Sequence, residues 1–310
     1  MKNILITFIF AITVSLLYFI FLPKPISKLI IDPSVQIIEP TIIPTPTIIP
    51  TVSIGLMGDL GLGRHITSTA RSKNDFNYSF SGISPWLQTH DFNLANLESP
   101  IIKNCPQGNT GTFTFCGDDR FIPVLLQYNF IFNLNNNHML NYGLDGLSQT
   151  KSLLQDIPNF YDNFLLKNIN GISFGFLGFD FITYPSLDKE KVVEKIKKYD
   201  SEVDYLIISI HWGNEYLPKA ESWRTTLAHL MVDAGADIIH GHHPHVWQDY
   251  EIYKDKPIFY SFGNFIFDQS WSYETSHSQI ATLTLSKNKV ENIDLFPITI
   301  TQNSRPILTE

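Results

Sequence analysis

Four of the chain's ten histidines fall within six positions, in the stretch Asp237-Ile238-Ile239-His240-Gly241-His242-His243-Pro244-His245-Val246. Neutral imidazole is a good ligand for zinc, manganese or iron. The β-branched run ahead of the histidines reads as a buried strand whose end opens into a His-rich loop, where α/β folds place their chemistry. Gly241 is expected to let the backbone turn and Pro244 to stiffen the loop. A lone histidine here is more often a core residue satisfied by hydrogen bonds, but four together point to a metal site.

Other apolar runs end in the same way. Val52 to Met57 leads to Asp59, Gly61, Gly63 and Arg64, and Phe92 to Leu97 ends at Glu98. Phe130 to Leu134 ends in Asn135-Asn136-Asn137-His138, and Asp204 to Ile210 ends at His211. Any one of these is ordinarily a turn or a helix cap. Five strand ends bearing carboxylate, amide oxygen and imidazole make a mixed O/N set suited to one or two divalent ions (Mn, Zn or Fe) rather than calcium. Two such ions about 3.5 to 4 Å apart would polarise a phosphoryl oxygen and acidify a bridging water, the chemistry of phosphoester hydrolysis.

The elements that position these residues follow from periodicity. Helices are expected at Gly143 to Leu154, with Leu144, Leu147, Leu153 and Leu154 as the apolar side, and at Ala220 to Ala234, leading into the His-rich strand. Lys189 to Tyr199 reads as a charged, solvated helix. Tyr260 to Phe267 reads as a core strand and turn or as a substrate wall, and Asp268 as a ligand contact or a turn cap. The alternating segments 279–285 and 290–300 are expected to close a second sheet.

With 310 residues, 44% hydrophobic and 13% aromatic, the chain can bury one large α/β core, placed at residues 52–310. A net charge of -8 offers no footprint for a phosphate backbone, so no nucleic-acid partner is expected. Ahead of the domain, a three-residue cytoplasmic tail precedes the nineteen uncharged residues Ile4 to Leu22, which at about 1.5 Å each reach nearly across a bilayer. An uncleaved signal anchor is expected, with a cleaved signal peptide as the alternative, and lysines on both sides leave the orientation open. Residues 23–51 are a Pro/Thr-rich spacer. Cys105 and Cys116 flank a Gly/Asn/Thr loop that suits a small hairpin closed by a disulfide, or two free thiols in a reducing compartment. Together these features predict a single-pass cell-membrane protein with its C-terminal domain extracellular.

The motifs Gly58-Asp59 with Gly63-Arg64, Asn96-Leu97-Glu98, Asn136-Asn137-His138 with Tyr142-Gly143, His211-Trp212-Gly213, Gly241-His242-His243-Pro244-His245-Val246 and Tyr260 to Gln269 resemble, in order and over about residues 52–270, the CapA-type poly-γ-glutamate capsule biosynthesis proteins. That family in turn resembles the calcineurin-like metallophosphoesterases. The resemblance implies two mixed β-sheets packed face to face and flanked by helices, behind the N-terminal transmembrane helix. It implies Asp59, Glu98, Asn137, His211, His243 and His245 as metal ligands, with His138 stabilising or protonating a leaving oxygen and Arg64 holding an anionic group. It implies a role in making, exporting or attaching an anionic surface polymer beside membrane synthase subunits, either as a metal-dependent hydrolase or as a non-catalytic, polymer-binding partner. Two positions depart from the pattern: Gly61 stands where the superfamily carries a histidine, and Asn141 where CapA proteins carry a carboxylate.

Overall fold

A computed structural model describes residues 50–106, 113–302 and 304–309. The expected anchor and nearly all of the spacer lie outside the described residues. Among the described residues no helix is long and apolar enough to cross a membrane.

Two mixed sheets carry the architecture. In the first, strands β1 (Thr51–Leu60), β2 (Phe92–Leu97), β5 (Phe130–Asn133) and β6 (Asn159–Phe160) run parallel. On the far side of β1 the antiparallel strands β14 (His277–Ser286), β15 (Val290–Ile300) and β16 (Pro306–Leu308) follow, and β13 (Asn264–Ile266) pairs with the end of β1. The segments expected to close a second sheet therefore extend the sheet of β1. The second sheet has the parallel strands β8 (Ile172–Asp180), β9 (Tyr205–His211), β10 (Ile238–His242) and β12 (Lys256–Phe262). Antiparallel β7 (Leu165–Ile169) and β11 (Trp247–Tyr253) close its edges.

The inner strands read as near-continuous apolar runs because both their faces are covered. Val52, Ile54 and Leu56 of β1 and Phe92 and Leu94 of β2 meet Phe174, Phe176, Ile207, Ile238 and Phe259 of the other sheet in one buried cluster. The opposite face of the second sheet packs against the helices Lys189–Asp200 and Ser222–Asp233. The opposite face of the first packs against Arg64–Lys73 and Gly143–Leu153. The layers are thus helix, sheet, sheet, helix.

Several local expectations need correction. The cysteines do form a disulfide, but the strands that flank them, β3 (Ile101–Ile102) and β4 (Gly117–Asp118), pair parallel rather than as a hairpin. Leu144 is 75% exposed, because it sits in the first turn of its helix facing water, while Leu147 and Leu154 carry the apolar face. The helix Lys189–Asp200 is not wholly solvated: Val192 and Ile196, one turn apart, are buried, and Asp188 caps its start by accepting from Glu190 N at 2.9 Å. Gly241 does not turn the chain. It lies within β10, where a Cβ would come within 2.3 Å of the Tyr260 carbonyl oxygen, so the residue is small because β12 passes so close.

Candidate metal centre

The parallel strands β1, β2, β5, β9 and β10 all deliver their carboxyl ends to one rim. Asp59 and Glu98 come from the first sheet, His211 and His242 from the second, and His243 and His245 from the loop after β10. Asp59, Glu98, His211 and His242 are completely buried; His243, His245 and His138 nearly so. Two groups of potential ligand atoms each lie within 4.8 Å of one another: Asp59, His211 and His242, and Glu98, His243 and His245. His245 Nδ1 stands 3.2 Å from Asp59 Oδ2 and joins the two groups. His243 and His245 have φ of 101° and 59°, left-handed values that a non-glycine residue adopts only where its surroundings hold it.

Every predicted site residue is at or beside this rim. Asn137 Oδ1 lies 2.8 Å from His211 Nε2. His138 stacks on Phe115 at 4.1 Å, with Nε2 3.8 Å from Glu98 Oε1. Arg64 lies over the same Phe115 ring at 4.4 Å and is ion-paired with Asp268, so any anion it holds must share it with that carboxylate. The departure at Gly61 also has a physical account: a Cβ there would meet the Phe267 ring at 2.6 Å, so an aromatic ring fills the space into which a histidine would project.

Asparagines organise the centre, and the motif reading gave that task to none of Asn96, Asn136 and Asn264. Asn136 Oδ1 accepts from the backbone N–H of His138 and Met139, which orients its amide to donate to Asn96 Oδ1 at 3.0 Å. Asn96 Nδ2 must then donate to Asp59 Oδ1 at 2.9 Å. Asn264 Nδ2 donates to the Thr275 carbonyl at 2.9 Å, leaving its oxygen to accept from His245 Nδ1 at 3.0 Å. Asn141 Oδ1 takes the Phe115 N–H at 2.7 Å and so can only accept from His138 Nδ1 at 3.1 Å. His245 and His138 therefore both carry a proton on Nδ1, and their Nε2 atoms lie 3.6 and 3.8 Å from Glu98 Oε1.

Burial drives the electrostatics. For Asp59, burial alone would raise the pKa, but the hydrogen bond from His245 and the nearby imidazoles outweigh it and hold the carboxyl well below its ordinary range. Burial and the charge of Asp59 push Glu98 well above its own. Burial and neighbouring imidazoles lower His211 and His242 far below 6.5 and bring His243 to about 3. Burial brings His138 and His240 to about 4. These five imidazoles are thus neutral, the state in which nitrogen lone pairs can bind a metal. Glu98 Oε1 and His243 Nδ1 are buried without a hydrogen-bond partner, which costs about 1–3 kcal/mol each. A divalent cation held by Glu98, His243 and His245 would give both atoms a partner, so the donor set fits one.

His242 was not among the predicted ligands. Alternation along β10 places His240 and His242 on one face, a signal present in the sequence but not separable there from the loop histidines.

Fold and site together define a two-sheet α/β protein with a buried carboxylate–imidazole centre at its strand ends. Residues 53–160 and 161–269 match the family model described as bacterial capsule synthesis protein PGA_cap. The chain is 31% identical over 283 residues to the capsule biosynthesis protein CapA of Bacillus anthracis, covering 82% of this chain and 68% of that one. It is 30% identical over 275 residues to the PGA biosynthesis protein CapA of Bacillus subtilis strain 168, covering 80% and 72%. The chain belongs to the PGA_cap family of capsule synthesis proteins. A hypothetical protein from Thermus thermophilus shares the fold, with a TM-score of 0.52 at 14% identity over 79% of this chain and 98% of that one.

Proposed function

We propose that this protein is a membrane-anchored, outward-facing member of its family that acts in the synthesis, export or attachment of a poly-γ-glutamate type of surface polymer, through a metal-dependent hydrolase centre of the calcineurin-like metallophosphoesterase kind. The observation that carries this reading is the buried carboxylate–imidazole cluster in which Glu98 Oε1 and His243 Nδ1 are left without a hydrogen-bond partner. Asp59, Glu98, Asn137, His211, His243 and His245 would hold one or two divalent ions. Such an ion supplies Lewis acidity and acidifies a bound water.

The chain's own groups do the rest. His138, with its proton held on Nδ1 by Asn141, presents Nε2 to the centre as the group that exchanges a proton with the departing oxygen. Arg64, steadied by Asp268 and two phenyl rings, faces a cavity of about 490 Å³ lined by Tyr216, Gln269, Trp271 and Gln302. A chain bearing amide and acid groups finds aromatic faces, carboxamides and a guanidinium there. Phe267 over Gly61 favours a second reading, a non-catalytic partner of a membrane synthase, because it removes one imidazole from the expected set.

Metal analysis of the full-length protein, with turnover of a generic phosphodiester compared between wild type and His243→Ala, separates the two. Bound Mn, Zn or Fe and turnover lost in the variant are expected of the hydrolase. A protein with no metal and unchanged background turnover would end that reading.

A further inference from the structure

We propose that a relay of buried groups, running from the Met57 carbonyl through His240 and Ser209 to His242, sets which nitrogen of His211 is free to hold a cation. Its purpose rests on the metal-centre reading; its hydrogen-bond pattern does not.

The relay is a consequence of register. Along β9 and β10, Ser209 lies beside His240 and His211 beside His242, all four on the face turned to the first sheet. A one-residue slip would scatter them to the other face. The Met57 carbonyl can only accept, so His240 Nε2, 2.7 Å away, carries that ring's proton. A neutral imidazole has one N–H, so His240 Nδ1 must accept, and the donor 3.0 Å from it is the Ser209 hydroxyl. The Ser209 oxygen, its hydrogen spent, then accepts from His242 Nε2 at 3.0 Å.

His242 Nδ1 is left with a lone pair, and 2.8 Å away stands His211 Nδ1, which must donate to it. His211 Nε2 is therefore unprotonated, and it faces Asn137 Oδ1 at 2.8 Å.

Asn137 Oδ1 would accept a proton on His211 Nε2 and so favours the opposite order, and two further neighbours bear on it. Asn133 Nδ2 also lies 3.2 Å from His242 Nε2, with the oxygens of Asn96 and Asn135 at 3.2 and 3.3 Å competing for its two hydrogens. Asn96 Nδ2 lies 3.4 Å from His211 Nδ1, but has Asp59 Oδ1 at 2.9 Å and Glu98 Oε2 at 3.3 Å to serve first.

The relay sorts the six clustered rings by task. His240 and His242 are positioning residues, and His211 presents Nε2 outward. Two acceptor atoms 2.8 Å apart, His211 Nε2 and Asn137 Oδ1, are at the spacing of neighbouring ligands on one ion with bonds of about 2.0–2.2 Å. Without the Ser209 hydroxyl, His242 Nε2–H loses its acceptor and the ring gains by moving its proton to Nδ1. That reverses the bond to His211 and drives the His211 proton onto Nε2, where it closes the ligand atom.

The test uses the full-length chain with ¹⁵N-labelled histidine. Long-range ¹H–¹⁵N spectra of the EDTA-treated protein, assigned by comparison with His211→Gln, should show His211 as the Nδ1–H tautomer. Calorimetric titration with Zn²⁺ or Mn²⁺ alone should show Ser209→Ala binding about 10- to 100-fold more weakly than wild type. Ser209→Thr, which keeps the hydroxyl, should restore affinity. An Nε2–H tautomer at His211 in the metal-free wild type overturns the relay, as does undiminished metal binding by a folded Ser209→Ala. Should that variant fail to fold, the wild-type spectrum still decides. A wild type with the Nδ1–H tautomer that takes up no metal would support the relay and sink the metal-centre reading.

Discussion

The backbone N–H of His243 donates to Asp59 Oδ2 at 3.2 Å, joining the loop after β10 in one sheet to the end of β1 in the other. Both sheets therefore meet at the candidate centre. A cation bound to Asp59 and His243 would bridge the sandwich, so metal should stabilise the whole fold. At a free metal concentration a hundred times Kd, the gain is about 2.7 kcal/mol. Thermal melts with Mn²⁺ or Zn²⁺ should shift upward and return with EDTA. Asp59→Asn should abolish the shift, and an equal shift in wild type and variant would show that the ion binds elsewhere.

The disulfide Cys105–Cys116 closes a loop of separation 11 next to Phe115, which covers both His138 and Arg64. By loop-closure entropy such a link is worth about 3 kcal/mol. The Cys105→Ser, Cys116→Ser double variant should unfold at lower urea, with its unfolding free energy reduced by about that amount. Its His138 should also exchange with solvent faster, since the stacked ring is no longer tethered. An unchanged unfolding midpoint would show that the loop holds itself in place.

The fully buried His240 has its pKa lowered by burial to about 4, against 6.5 in an open chain. The folded form resists the proton that the unfolded form accepts. Stability is therefore present above pH 6.5 and is lost as pH falls towards 4. One pKa unit corresponds to about 1.4 kcal/mol, so the loss from this ring is on the order of 3 kcal/mol. Urea unfolding of the EDTA-treated protein between pH 7 and 4 should show it, with a shallower slope in His240→Gln. Identical slopes would mean that His240 does not carry the dependence.

Phe267 occupies the space beside Gly61. Gly61→His alone should be destabilising by about 1–3 kcal/mol through overpacking. Combined with Phe267→Ala it should recover stability and add an imidazole at the centre. The readout is metal stoichiometry with the melting temperature, and a double variant no more stable than the single one would place the clash elsewhere.

How much of this was legible in the chain depended on distance along it. The runs ending at Asp59, Glu98, Asn137-His138, His211 and the loop of His243 and His245 announced strands because alternation and β-branching constrain the backbone residue by residue. That each ended in a metal-ligand type was visible, so the rim could be anticipated. The task of Asn96 could not. It depends on Asn136 orienting its amide from 40 residues away, and short-range patterns say nothing about such partners.

Arg64 shows the same limit. Its residue type marked it as an anion binder, but its partner Asp268 lies 204 residues on, brought there by the pairing of β13 with β1. Sequence alone determined which side chains the molecule has for chemistry and that strand ends present them, because those are consequences of local geometry. Tertiary structure alone decided which imidazoles face the centre with a lone pair, which merely steady others, and where Phe267 takes a ligand's place. Those outcomes follow from the register of β9 against β10 and the closing of one sheet on the other, which bring together residues that no local pattern links.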